Sequence, residues 1–191
     1  MALRAPVVLL AAFLLPPQGA QNLGTDLNGH PILELAQAHA KAVVLFFTAS
    51  DCPISNRYIP EIERLDREFT PQGVAFWWVY PNPSDTAEVI RQHQEQFNFR
   101  GQIVLDTAQQ ITRMAHATIT PEAALFVPAS SGLREVYLGR IDNRYVALGQ
   151  ERPAATTHDL ESAIRAALNR MPVPKAGGPV VGCSIVPLNA S

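Results

Sequence analysis

The first strong pattern in the chain is an unbroken apolar run, Val43-Val44-Leu45-Phe46-Phe47-Thr48. It is β-branched, aromatic and continuous, which predicts a strand buried on both faces, as in a parallel or mixed sheet. Downstream, Ile54, Tyr58, Ile62, Leu65 and Phe69 recur at spacings of three and four. That period draws one apolar stripe along a helix, with a kink expected at Pro60, whose ring removes a ladder hydrogen bond. Pro71-Gln72-Gly73 predicts a turn, and Val74–Tyr80 a second buried strand in which Trp77 and Trp78 serve packing. Pro81 to Pro83 ends that strand, and Ser84 or Asp85 is expected to cap a helix reaching about Phe97. Gln102–Leu105 predicts a short strand, and Asp106 the cap of a short helix to Ala115. Ala123–Val127 and Glu135–Leu138 predict a strand pair around Ser130-Ser131-Gly132. Thr156 is expected to cap a last helix through Asn169, with Asp159 in the capping-box position. The order of strands and helices predicts an α/β layer fold around one central sheet.

Composition narrows the class. Of 191 residues, 47% are hydrophobic and 17% charged, with a net charge of -2. This is the balance of a packed domain, and it offers nothing to attract a phosphate backbone, so nucleic acid is not an expected partner. Residues 1–20 differ from the rest: Arg4 is followed by the apolar run Ala5–Leu15, then Pro16, Pro17, Gly19 and the small Ala20. Charged, apolar and small-residue regions in that order predict a signal peptide cut near Ala20, and an exported, periplasmic or extracellular protein. An uncleaved N-terminal anchor is the alternative, and no other membrane contact is expected. The expected organisation is therefore a signal peptide over 1–20, one domain over 21–170, and a proline- and glycine-rich extended tail over 171–191 that carries Cys183.

The candidate chemistry sits in Thr48-Ala49-Ser50-Asp51-Cys52-Pro53-Ile54-Ser55. It follows a buried strand and opens a helix, which is where open α/β sheets place their sites. A cysteine there faces the unpaired amides and positive end of the helix, which favour the reactive thiolate. Pro53 suits the first helical turn. The Ser55 hydroxyl is spaced to reach the sulfur, while Asp51 opposes the charge. A second feature, Ile119-Thr120-Pro121-Glu122, directly precedes a strand, where a proline can be tolerated and a cis bond would be a specific feature. The other thiol, Cys183, lies in the tail. It can act as a resolving thiol for Cys52, as the second half of a static tail-pinning disulfide, or as an unrelated thiol.

Together the strand Val43–Thr48, Cys52-Pro53-Ile54-Ser55 and Thr120-Pro121 resemble the thioredoxin-like superfamily, in its exported redoxin branch near the alkyl hydroperoxide reductase and thiol-specific antioxidant proteins. The resemblance covers about Asp26 to Asn169, with Tyr137–Asp142 similar to the family's last strand. It implies a three-layer fold with a central mixed sheet flanked by helices. It implies a cis Pro121 lying against Cys52, with Thr120 as a backbone contact for a bound partner. The implied activity is that of a thiol oxidoreductase acting on a protein thiol or disulfide, or on a peroxide. Ser55 stands where thioredoxins have their second cysteine. The threonine and proline that precede a peroxidatic cysteine are replaced by Ala49 and Leu45, with Thr48 one residue off.

No flavin, haem or nicotinamide is implied, because no glycine-rich phosphate loop follows a strand. The five histidines show no metal-ligand spacing with one another or with a cysteine. The rival reading is a copper-binding or protein-interaction module on the same fold, with Cys52 and His116 as ligands and Cys183 as an optional third.

Overall fold

The computed structural model describes residues 21–188, so the expected signal peptide lies outside the described residues. A five-stranded sheet forms the middle layer. Its strands are β1 (Ala42–Phe47), β2 (Val74–Tyr80), β3 (Gln102–Leu105), β5 (Glu122–Ala129) and β6 (Gly132–Gly139), in the order β3-β2-β1-β5-β6. The first three run parallel, and β5 and β6 are antiparallel to their neighbours. The central pair, β1 and β2, is buried along its whole length, which accounts for its continuous apolar run.

Alternate residues of β1 feed two different cores. Ala42, Val44 and Phe46 join Tyr58, Ile59, Ile62, Leu65 and Phe69 of α1 (Pro53–Phe69) and Leu160, Ala163 and Ile164 of α4 (Asp159–Leu168). Val43, Leu45 and Phe47 face Ile111 of the short α3 (Gln110–Met114), together with Leu35 and Ile185. The chain is thus three layers deep, with a mixed sheet between two covering layers. Ile90 of α2 (Ala87–Phe97) packs in the first core. Arg64 ties α1 to α4 by pairing with Glu61, Glu68 and Glu161.

Several boundaries differ from expectation, each for a local reason. Helix α1 starts at Pro53 and continues through Pro60, whose exposed position lets the missing bond face water. Thr86 caps α2, its hydroxyl accepting from the Val89 amide at 3.3 Å. Asp85 is instead buried and accepts from Ser50. Asp106 does not cap α3 directly. It accepts from the Thr112 amide and hydroxyl, both at 2.7 Å, across a turn in which Gln109 is left-handed. Thr156 does not cap α4, because Asn143 captures it at 2.7 Å through the hydroxyl and 2.8 Å through the amide. The helix begins three residues later, behind His158.

The segment after α4 is extended and folds back across the sheet's end. Cys183–Ser184 forms β9, which pairs antiparallel with β4 (Ile119–Thr120). A further small ribbon, β7 (Tyr145–Ala147) with β8 (Gln150–Glu151), closes the list of strands among the described residues.

Because Leu65 is fully buried where α1 meets the sheet, Leu65→Ala should cost about 2–5 kcal/mol. Urea unfolding with an unchanged slope and a lowered midpoint would register that loss.

Candidate active site

Cys52 is the N-cap residue of α1, in extended conformation with φ -86° and ψ 108°. Strand β1 ends five residues earlier, and the intervening turn is held by Thr48, whose amide donates to Val79 O at 2.9 Å. The Cys52 carbonyl accepts the Asn56 amide at 3.1 Å, so the helix opens on the cysteine itself. Pro53 occupies the first turn, where it forfeits no ladder bond.

Three sequence-predicted residues converge here. Thr120-Pro121 is a cis peptide bond, and it brings the Thr120 carbonyl to 3.2 Å from Cys52 Sγ. On the other side of Thr120, β9 places Cys183 directly in register. The two sulfurs are 2.7 Å apart as free cysteines, close enough for one thiol to donate to the other. Cys52 is 1% exposed, and Cys183 lies half-buried above it.

The two sulfurs differ in their affinity for a proton. Burial pushes the Cys52 thiol up. Hydrogen bonds from Cys183, from the hydroxyl and amide of Ser55, and from Thr120 outweigh it, and the net direction is down. The Cys183 thiol is pushed up to about 12, first by burial, then by donating to Cys52 and by the negative charges of Cys52 and Asp51. The charge of Asp51 therefore weighs on Cys183, which turns an expected handicap for Cys52 into a reason for the asymmetry. Of the two sulfurs, Cys183 holds a proton more tightly, which favours the thiolate at Cys52.

Ser55 is fully buried, and its Oγ has no partner of ordinary hydrogen-bond geometry among the described residues. It favours the charged sulfur from nearby, without the well-formed bond that its spacing led us to expect. Thr48 Oγ1, at the end of β1, is buried and unpartnered in the same way. Arg57 is exposed on the outer face of α1. His116 is exposed, with φ 53°, and its charge is felt at Glu135. The structure does not group it with the two cysteines. The one cluster of three metal-ligating side chains among the described residues is Glu61, His158 and Glu161, and its carboxylates are already paired with Arg64 and Arg165.

Other residues shape the site in roles that the sequence did not indicate. Glu122, buried after the cis proline, accepts the Thr118 amide at 3.1 Å and so braces β4 from behind. Burial holds its carboxyl above the ordinary range. Asp85 accepts from both the amide and hydroxyl of Ser50, two residues before Cys52. Asn56 donates to Ser50 O at 3.1 Å and meets His93 Nε2 at 2.7 Å, and His93 Nδ1 meets the Tyr80 hydroxyl at 3.0 Å. Burial lowers the pKa of His93, so the ring is held neutral within this chain of bonds. The sequence marked Asp85 only as a candidate cap for the next helix; its pairing with Ser50, 35 residues earlier, emerges in the fold. The pairing of Asn56 with His93 joins two helices and leaves no mark in local sequence.

A model of the AhpC/TSA family matches residues 17–138. No curated protein matches the chain. Among solved structures, a conserved protein of Geobacillus kaustophilus is 24% identical, with a TM-score of 0.66, over 90% of this chain and 92% of its own. A Sinorhizobium meliloti protein is 21% identical, with a TM-score of 0.68, over 87% and 91%. A secreted Mycobacterium tuberculosis disulfide oxidoreductase, described as homologous to DsbE of E. coli, is 15% identical, with a TM-score of 0.50, over 78% and 94%. These likenesses establish the thioredoxin-like fold.

If Cys183 is the donor that keeps Cys52 charged, Cys183→Ala should raise the pH at which Cys52 is half-alkylated by about one unit. Cys183→Ser keeps an O–H donor and should recover most of the difference. Iodoacetamide rates measured against pH would show it.

Proposed function

The chain belongs to the AhpC/TSA family, and on that footing we propose that it is an exported thiol oxidoreductase in which Cys52 is the nucleophile and Cys183 the resolving thiol. The observation that carries this reading is the 2.7 Å approach of two sulfurs that lie 131 residues apart in the chain, with the proton favouring Cys183. Family membership supports redox chemistry in general. The choice of these two cysteines rests on their geometry. Export is supported by the charged, apolar and small-residue order of residues 1–20.

The first step is the same for either substrate class. With a peroxide, the Cys52 thiolate attacks one peroxide oxygen, the O–O bond breaks, and the leaving oxygen departs with the electron pair and takes a proton. Cys52 is oxidised to sulfenic acid. The Cys183 sulfur then attacks Cys52 Sγ, water leaves, and a Cys52–Cys183 disulfide forms. With a disulfide substrate, Cys52 attacks one sulfur and expels the other as thiolate, and Cys183 resolves the mixed disulfide. An external dithiol closes either cycle by reducing Cys52–Cys183.

Each residue of the site has a place in this cycle. The amide and hydroxyl of Ser55 stabilise the attacking thiolate and later the leaving one. Thr120, with the cis Pro121, holds the edge against which Cys183 is presented. The hydroxyl of Thr48, in the turn between β1 and Cys52, is buried and has no hydrogen-bond partner among the described residues. No bound cofactor takes part in these steps.

Reduced protein exposed to equimolar hydrogen peroxide, quenched and peptide-mapped, should yield the Cys52–Cys183 disulfide. Cys52→Ser should abolish both peroxide consumption and reduction of a model disulfide. Cys183→Ser should instead accumulate a dimedone-reactive Cys52 after peroxide. Unchanged turnover of both substrates in Cys52→Ser would overturn the assignment.

A further inference from the structure

The edge of β4 beside Cys52 is already occupied by a peptide, and that peptide is the chain's own. Residues 176–185 form a strap clamped at both ends. At the first clamp, Gly177 N donates to Asp159 Oδ1 at 2.6 Å, and Asp159 is paired with Arg140. A Cβ at Gly177 or Gly178 would meet the Arg140 guanidinium at 2.9 or 2.6 Å, so only glycines pass there without displacement. At the second clamp, Ile185 is 6% exposed in the core behind β1, and its amide donates to Thr118 O at 2.9 Å. Beyond it, Gln109 donates to Val186 O at 2.7 Å.

Between the clamps the strap runs antiparallel to β4, with Ser184 opposite Ile119 and Cys183 opposite Thr120. Gly182 lies so close to the Thr120 carbonyl that any Cβ would overlap it.

We propose that this edge recognises an extended segment with glycine immediately before its cysteine, and that the strap is its resident occupant, which a protein partner must displace to reach Cys52. The inference rests on the proposed function only in taking Cys52 as the reacting atom. Main-chain pairing supplies affinity, and the missing Cβ supplies selectivity, as in other strand-addition complexes. A partner competes only with the fraction of molecules whose strap is open, so the docked strap lowers its apparent affinity by that fraction. A disulfide to Cys52 would lock the strap down, whereas with both thiols free the strap is held only by its two clamps and its pairing with β4. The protein partner's access to Cys52 is therefore coupled to the state of Cys183.

The test uses the full chain carrying Cys183→Ser, with and without Gly182→Val. The probe is a synthetic peptide copying Val180–Val186, its cysteine activated as a mixed disulfide with thionitrobenzoate. Cys52 thiolate attacks the peptide sulfur, the bond to thionitrobenzoate breaks, and the coloured thiolate leaves with the electron pair. Gly182→Val should speed this reaction roughly tenfold by opening the strap. A second peptide, with valine in place of the glycine, should lose a similar factor on the opened protein. Ile185→Ser, which releases the other clamp, should give the same gain and serves if Gly182→Val fails to fold. Equal rates with strap docked and released, or no discrimination between the peptides, would overturn the proposal. Since Cys183 is absent throughout, the outcome is independent of whether a Cys52–Cys183 disulfide forms in the native protein.

Discussion

The register of two short strands governs the rest of the site. Thr120 stands opposite Cys183, and that alignment delivers a sulfur from the far end of the chain onto the N-terminus of α1. Side chains alternate along a strand, so a slip of one residue would turn Cys183 away and put Ser184 in its place. The register is fixed from both directions, by Ile185 in the core behind β1 and by Gly182 against the Thr120 carbonyl. A two-stranded ribbon is weak by itself. This one holds because the clamp at Asp159 and Arg140 and the plug at Ile185 share the work.

The chemistry follows from an imbalance between the sulfurs. Both are desolvated, which by itself disfavours either thiolate. The donors gather around Cys52, and the negative neighbours gather around Cys183. The same imbalance serves both halves of a cycle. In the proposed cycle it would make Cys52 the attacking group, and the better leaving group when a reductant attacks the pair at Cys183. The polar chain Asp85, Ser50, Asn56, His93 and Tyr80 holds the turn before Cys52 in place without touching the sulfur.

Much of the fold was legible because its signals are local. The apolar run at Val43–Thr48 and the spacing from Ile54 to Phe69 match β1 and α1 to within a residue or two. Helix starts were read less well: Asp85 and Thr156 pair with Ser50 and Asn143 instead of capping the next helix, and Asp106 reaches the Thr112 amide of α3 from three residues before the position that opens the helix. In the site, Cys52 and the Thr120-Pro121 step stood out from their positions relative to strands. The place of Cys183 did not, because the tail's pairing with β4 spans more than sixty residues. What the sequence did hold was Gly182 beside that cysteine. Its meaning becomes clear only when the Thr120 carbonyl is seen facing it.

The central claim is that Cys52 and Cys183 act as one redox unit. Equilibrating the protein in glutathione buffers of graded potential, then counting and mapping the free thiols, tests it most directly. The account predicts a single two-electron transition in which both thiols disappear together into one intramolecular disulfide. Separate transitions for the two cysteines, or glutathione accumulating on Cys52 while Cys183 stays free, would contradict it.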